Sequence, residues 1–180
     1  MFTTYHTSPL GLLELSATNT SLVAVHFAEA EKVVSPKSEA TEPNAILREA
    51  IAQLEAFFDG KLQKFDLPLF ADGTAFQQRV WTQLLEIPYG KTVSYLEMAI
   101  ALGDKKCIRA AATANGRNPI SIIIPCHRVI GSNGSLVGYA GDLWRKKWLL
   151  QHELQHELQH ELQHELQHNF ATNRQTFLKF

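Results

Sequence analysis

Short apolar runs dominate the first 28 positions. Tyr5 to Pro9 leads into the turn signal Pro9-Leu10-Gly11, and Leu12 to Ala17 and Leu22 to Phe27 are apolar runs parted by Thr18-Asn19-Thr20-Ser21. This spacing predicts successive strands joined by tight turns. Residues 29–44 are polar and contain Pro36 and Pro43, which predicts a loop. The period then lengthens. Ile46, Ala50, Ile51, Leu54, Phe57 and Phe58 recur at helical spacing over Ala45 to Phe58, and Gly60 ends the run. Phe76, Val80, Trp81, Leu84 and Leu85 lie on one face of a second helix, capped by Thr74 and stopped by Ile87-Pro88-Tyr89-Gly90. Ser94 caps a short helix from Tyr95 to Leu102, ended by Gly103, and another runs from about Lys105 to Ala114, ended by Asn115-Gly116. Two short helices joined by a Gly-containing turn make a helix-turn-helix candidate. Ile120 to Ile124 is an apolar, β-branched run that predicts a buried strand, and Pro125 ends it, so Cys126-His127-Arg128 is expected at a strand end.

The C-terminal part departs from ordinary patterning. The tetrapeptide Gln-His-Glu-Leu occurs four times in tandem over residues 151–166, and no Gly or Pro interrupts 142–180. A long helix is expected there. Leu150, Leu154, Leu158, Leu162 and Leu166 recur every fourth residue. Each step overshoots a turn by roughly 40°, so the stripe winds around the helix, and the outer repeats should project from the body. His152, His156, His160, His164 and His168 have the spacing of a metal ladder, but spacing alone supplies no supporting shell, and no metal is expected.

Composition narrows the class. The chain has 180 residues, 45% hydrophobic and 19% charged, which fits a globular core and argues against wholesale disorder. Two cysteines, Cys107 and Cys126, are too few for a disulfide framework or a four-cysteine zinc site. No run is long enough to span a bilayer, and no basic residue precedes Lys32, so neither a membrane anchor nor a signal peptide is expected, and a cytoplasmic location with reduced thiols is. The net charge of −1 hides a segregation: residues 1–73 carry 5 basic and 10 acidic side chains, residues 74–150 carry 10 basic and 4 acidic. A basic block of this kind suits an anionic partner, or it serves to pair with the acidic N-terminal part.

Chemistry concentrates in the same block. Cys126 stands beside His127 and Arg128, and neighbouring cations lower a thiol pKa. On these residues alone, a Cys-His pair after a strand fits a buried cysteine as well as a nucleophile. Gly131, Gly134, Gly138 and Gly141 allow a tight loop that could wall a pocket for a flat ligand. In Ile108 to Ala114 nearly every residue is small and Arg109 is the long polar one. That helix suits either close packing or a shallow approach to DNA, and it lacks the several polar side chains of a major-groove reader.

The string Ile-Pro-Cys-His-Arg-Val, preceded by Asn118-Pro119 and followed by Gly138-Tyr139-Ala140-Gly141, closely resembles the O6-alkylguanine-DNA alkyltransferases. The resemblance also takes in Ser8-Pro9-Leu10-Gly11, Thr74-Ala75-Phe76-Gln77, Val80-Trp81, Ile87-Pro88-Tyr89-Gly90 and Trp148 to Glu153, and covers about the first 153 residues. It implies an α+β fold: a small N-terminal ribonuclease H-like α/β domain over 1–72, a mostly helical catalytic and DNA-binding domain with a helix-turn-helix over 73–153, and the helical tail, 154–180, as an addition. It implies irreversible, single-turnover transfer of an alkyl group from O6-alkylguanine, and from O4-alkylthymine, to the protein's own cysteine, with no cofactor. The resemblance further implies that the partner is double-stranded DNA, bound through the minor groove by a monomer without regard to sequence.

The resemblance also implies roles for matching residues. Cys126 is the acceptor, and His127 is a general base bridged to the thiol through water and oriented by Glu153. Asn118 stabilises the turn, Tyr95 contacts the flipped nucleotide's phosphate and the leaving base, and Arg109 replaces the extruded base in the stack. Tyr139 and the backbone near Ala140 wall the guanine pocket. Trp81 and Arg128 are expected to be structural. Asp142 stands where the family usually has a second glycine. The competing readings are a non-catalytic lesion-binding relative, which would lack Cys126, a sequence-reading transcriptional regulator, and a thiol hydrolase.

Overall fold

The computed structural model describes residues 1–28 and 42–177, with side chains as far as residue 164 of the terminal helix. Strands β1 (Phe2–Ser8), β2 (Gly11–Ala17) and β3 (Leu22–Phe27) form an antiparallel sheet in that order. Gly11 turns the first hairpin at φ +103°, a value that favours glycine. Tyr5 faces Glu14 across the pair, and its hydroxyl donates to the carboxylate at 3.0 Å. The loop expected over 29–44 lies outside the described residues except for 42–44.

Helix α1 (Ala45–Phe58) begins where Asn44 accepts from the Leu47 N–H, and Asn44 also donates to the Thr18 carbonyl at 2.7 Å. One side chain thus caps the helix and ties it to the β2–β3 turn. Leu47, Ala50, Leu54 and Phe57 are buried together with Leu13, Leu15, Leu22 and Val25 of the sheet. Helix α2 (Ala75–Leu85) starts with a reciprocal cap between Thr74 and Gln77, and α3 (Tyr95–Ala101) with the same device between Ser94 and Glu97. The second helix of the helix-turn-helix opens as a 3-10 turn, Lys105–Cys107, and continues as α4 (Ile108–Gly116). Trp81 Nε1 donates to the Ala114 carbonyl at 2.9 Å and fixes α4 against α2. β4 (Val93–Ser94) pairs in parallel with β5 (Val129–Ile130).

The strand expected over Ile120 to Ile124 is corrected. Ile120 alone forms a bridge, to Val25, and the chain then coils into a turn. Asn118 supplies the reason: its Oδ1 accepts from the Ile120 N–H at 3.0 Å and its Nδ2 donates to the Ile124 carbonyl at 2.8 Å. With these bonds the turn buries Ile120, Ile122, Ile123 and Ile124 without a ladder. Tertiary burial overrides β propensity here. Ile122 takes φ +72°, a strained position for a β-branched residue. Cys126–Arg128 is accordingly a 3-10 turn and not the end of a strand.

Helix α5 (Leu143–Phe177) is the long terminal helix, about 50 Å in length. Trp148 stacks on His152, whose Nε2 lies 2.8 Å from the Phe57 carbonyl. Arg145 donates to the Leu10 carbonyl at 2.8 Å. These contacts seat α5 on the N-terminal sheet and helix. Along the repeat, His152 and Glu153 are buried, His156 and Glu157 partly buried, and His160, Glu161 and His164 exposed. Among the described residues no helix is long and apolar enough to cross a membrane.

Candidate functional site

The site is built where the 3-10 turn meets α5. Lys146, Leu149 and Glu153 fall three and four residues apart on one helical face, and all are fully buried. His127 is likewise fully buried, and its Nε2 lies 2.7 Å from Glu153 Oε1. Arg128 donates to the same carboxylate through Nε at 2.9 Å and Nη2 at 3.0 Å, and through Nη1 to the Ile87 carbonyl at 2.6 Å. The Gly90 N–H adds a fourth contact to Glu153, 3.0 Å from Oε2.

Charge follows from this geometry. Burial alone would raise the Glu153 pKa, but the His127 and Arg128 contacts outweigh it and hold it at about 2. Burial pulls His127 below its ordinary value against the attraction of Glu153. The pair is therefore an ionised carboxylate and a neutral imidazole. The carboxylate can only accept, so the imidazole proton sits on Nε2. Nδ1 is left as a lone pair, buried and with no protein partner among the described residues.

Cys126 itself is buried. Its thiol is raised by burial, while the Asn118 side chain and the Lys146 charge pull the other way without reversing the shift. The expectation of a thiolate activated by neighbouring cations is thus corrected: the resting group is a thiol, because burial outweighs the cations, and it requires a base. Lys146 donates to the Val129 and Val137 carbonyls at 2.7 and 2.8 Å, so it ties the glycine-rich loop to β5, and burial lowers it to about 8.

Tyr95, at the start of α3, donates to the Val137 carbonyl at 3.4 Å. Asn115, near the end of α4, donates from Nδ2 to the Tyr95 hydroxyl at 3.4 Å and to the Cys126 carbonyl at 3.3 Å. Tyr139 packs edge-on to Phe27 with centroids 6.2 Å apart, and its hydroxyl is buried and unpartnered among the described residues. The structure thus gathers Cys126, His127, Glu153, Asn118, Tyr95 and Tyr139 into one region. Arg109 and Ala140 are exposed, the first on α4 away from the buried cluster and the second in the loop next to Tyr139.

Two residues of the site, Asn115 and Lys146, were not anticipated, and the structural role expected of Arg128 takes a definite form, a grip on the Glu153 carboxylate. Lys146 had a legible signal, since it shares the helical face of Leu149 and Glu153. Asp142 adopts φ +69°, a conformation that a glycine takes without strain, and its carboxylate meets Arg145 at 3.1 Å.

Comparison with known proteins gives one answer throughout. Residues 1–71 match the family model for the 6-O-methylguanine DNA methyltransferase ribonuclease-like domain, and residues 75–155 match that for the DNA binding domain of the same proteins. The chain is 47% identical over 146 residues to a methylated-DNA–protein-cysteine methyltransferase of Methanosarcina barkeri, covering 81% of this chain and 92% of that one. A protein of the same name from Mycobacterium bovis is 46% identical over 81% of this chain and 88% of its own length. A crystal structure of Mycobacterium tuberculosis OGT in complex with DNA superposes with a TM-score of 0.78 at 42% identity, over 87% of this chain and 94% of that one.

Proposed function

The chain belongs to the 6-O-methylguanine DNA methyltransferase family, and from this premise we propose the following account of its activity and site. The protein binds DNA and repairs it directly, by moving the alkyl group of O6-alkylguanine to its own cysteine. Two sources support this: relatives named methylated-DNA–protein-cysteine methyltransferase at 44–47% identity and a solved DNA complex of the same fold. The non-catalytic lesion-binding alternative is not favoured, since the acceptor thiol is present.

The residue roles rest on the site itself. The observation that carries them is a buried thiol followed in the chain by a neutral imidazole whose proton is fixed on Nε2 by an ionised glutamate. The Cys126 proton passes to His127 Nδ1, directly or across one water. The sulfur then attacks the alkyl carbon in line. A carbon–sulfur bond forms, the carbon–O6 bond breaks, and its electron pair stays with the base. Guanine regains a proton at N1, so the thiol proton ends on the base in the net reaction. The product is a thioether, which no group of this site hydrolyses, and each molecule acts once. No cofactor enters these steps. Arg128 and Gly90 position Glu153, and Asn118 holds the turn that carries Cys126.

O6 is enclosed in a duplex, so the nucleotide must leave the stack, at a cost of a few kcal/mol that is least for poorly paired bases. We assign Arg109 to the vacated position. The exposed face of α4 holds Arg109, Ala110, Thr113 and Gly116, a narrow surface suited to the minor groove, with Lys105 and Lys106 at its leading end for phosphates. Tyr139 and the backbone at Ala140 wall the pocket, and the same in-line transfer applies to O4-alkylthymine. The protein acts as a monomer in the cytoplasm, residues 1–72 support the catalytic part over 73–153, and the tail beyond is an addition.

Cys126→Ala tests the assignment. It should lose transfer while retaining affinity for lesion-containing duplex, because affinity comes chiefly from phosphate contacts. Cys107→Ala should transfer normally. Transfer by Cys126→Ala would overturn the assignment.

A further inference from the structure

Buried polar groups in native proteins nearly always find a partner, so the exceptions call for an explanation. Two such atoms, without a partner among the described residues, are the Tyr89 hydroxyl and Glu157 Oε2. Burial, Glu153 and Glu157 push the Tyr89 phenol up to about 12, so the two orphans lie within electrostatic reach of each other. One can donate and the other accepts, and one water between them would satisfy both. Glu157 belongs to the second copy of the Gln-His-Glu-Leu repeat, and nothing in the account above uses it.

Both atoms flank one turn. The Lys91 N–H donates to the Pro88 carbonyl at 3.2 Å, and Gly90 takes φ +70°. On its inner side this turn serves the relay. The Gly90 N–H donates to Glu153 Oε2 at 3.0 Å, the Ile87 carbonyl accepts from Arg128 at 2.6 Å, and the Arg128 guanidinium lies 5.7 Å from the centre of the Tyr89 ring. Glu157 holds the turn from α5. Its Oε1 pairs with Lys91 Nζ at 2.9 Å, and its Oε2 lies so close to Gly90 that any side chain there would run into it. An exposed ion pair alone carries little energy. Here only one oxygen belongs to the ion pair, and the other is buried against the backbone that donates to Glu153.

The repeat itself brings Glu157 to this place. A four-residue unit sets its next glutamate about one helical turn beyond Glu153 on nearly the same face, and each further step drifts by roughly 40°. Glu153 is accordingly buried, Glu157 partly buried and Glu161 exposed. We propose that Glu157 is a positioning residue for alkyl transfer: through Lys91 and Gly90 it clamps the turn over residues 87–91 onto Glu153, and so steadies the carboxylate that fixes the His127 tautomer. The effect is partial, because Arg128 still grips Glu153 when Glu157 is removed. This rests on the alkyl-transfer reading and gives the second copy of the repeat a part in it.

The test measures single-turnover methyl transfer from a saturating duplex containing O6-methylguanine, well below the melting temperature, where stability does not limit the rate. Glu157→Ala should be about fivefold slower than wild type, the effect of weakening one contact worth about 1 kcal/mol. Glu161→Ala should match wild type. In a Glu153→Gln background, Glu157→Ala should add little, because the carboxylate it steadies is absent. A residue that merely held the fold would lower the melting temperature and leave the rate unchanged. A diffuse charge effect of the tail would slow the two alanine variants alike. Either result, or an equal loss in both backgrounds, overturns the inference. Should Glu157→Ala fail to fold, Lys91→Ala opens the same clamp from its exposed end, and a wild-type rate there overturns the inference while leaving alkyl transfer standing. No transfer by the wild-type protein would overturn the alkyl-transfer reading and this one with it.

Discussion

Glu153 Oε1 stands 2.7 Å from His127 Nε2, inside the body of the protein where neither side chain meets solvent. The two residues are 26 positions apart and come from a 3-10 turn and the terminal helix. Their contact fixes the imidazole tautomer and so decides which ring nitrogen can serve as a base.

If the pair acts as one unit, removing either member should remove most of the benefit. His127→Gln and Glu153→Gln should each slow transfer from a lesion-containing duplex by about 10²–10⁴-fold, and the double variant should be little slower than the worse single one. Single-turnover rates under saturating DNA check this. A wild-type rate in His127→Gln contradicts the relay.

The pH dependence has a defined sign. A base whose pKa is lowered stays unprotonated to lower pH, so the transfer rate should hold through pH 6.5, the ordinary histidine value, and fall only below it. His127→Gln should abolish this acid limb. A limb centred at or above 6.5 in the wild type would mean that His127 is not the titrating base.

Stability should fall in acid for a related reason. Glu153 is held at about 2 against an ordinary 4.5, so its stabilisation is complete above pH 4.5 and drains away as pH falls toward 2. The size is about 3 kcal/mol. Glu153→Gln should lose about that much at neutral pH, because it leaves the Arg128 guanidinium buried without its counter-charge, and its acid limb should be shallower. Urea unfolding at several pH values measures both effects.

The role proposed for Arg109 can be tested by separating extrusion from chemistry. Arg109→Ala should reduce transfer from duplex DNA far more than reaction with free O6-benzylguanine, which needs no extrusion. Equal slowing with both substrates would make Arg109 a structural residue.

The terminal repeat grades from site to appendage. Deleting 159–180 should leave both transfer and melting temperature unchanged. Deleting 155–180 also removes Glu157, which pairs with Lys91 at 2.9 Å, and His156, which lies against Gly60. The melting temperature should drop by a few degrees, the effect of about 1 kcal/mol, while transfer persists because Glu153 survives the cut. Loss of transfer in a folded 155–180 deletion would place the second repeat in the chemistry.

Much of this fold is legible in the chain because its signals are local. Thr74 with Gln77, and Ser94 with Glu97, cap their helices within one turn, and Gly60 and Gly103 end theirs at positive φ. The Ile120 to Ile124 turn is not legible, since β-branched residues read as a strand until Asn118 is seen closing the loop from outside the run. The site divides the same way. The motif around Cys126 can be read from sequence, but the thiol's protonation cannot, because burial by distant elements sets it. Asn115 looks like a helix terminator in sequence, and only the packing of α4 against the 3-10 turn brings its amide to the Cys126 carbonyl.

The central claim is that Cys126 takes the alkyl group and keeps it. Incubation of the intact protein with an equimolar duplex containing O6-methylguanine, followed by intact mass and peptide mapping, tests it directly. The account predicts a stoichiometric gain of one CH2 that maps to the peptide carrying Cys126, with unmodified guanine left in the DNA and no second turnover. Repaired DNA with an unchanged protein mass, or a methyl group mapped to Cys107 or His127, would contradict it.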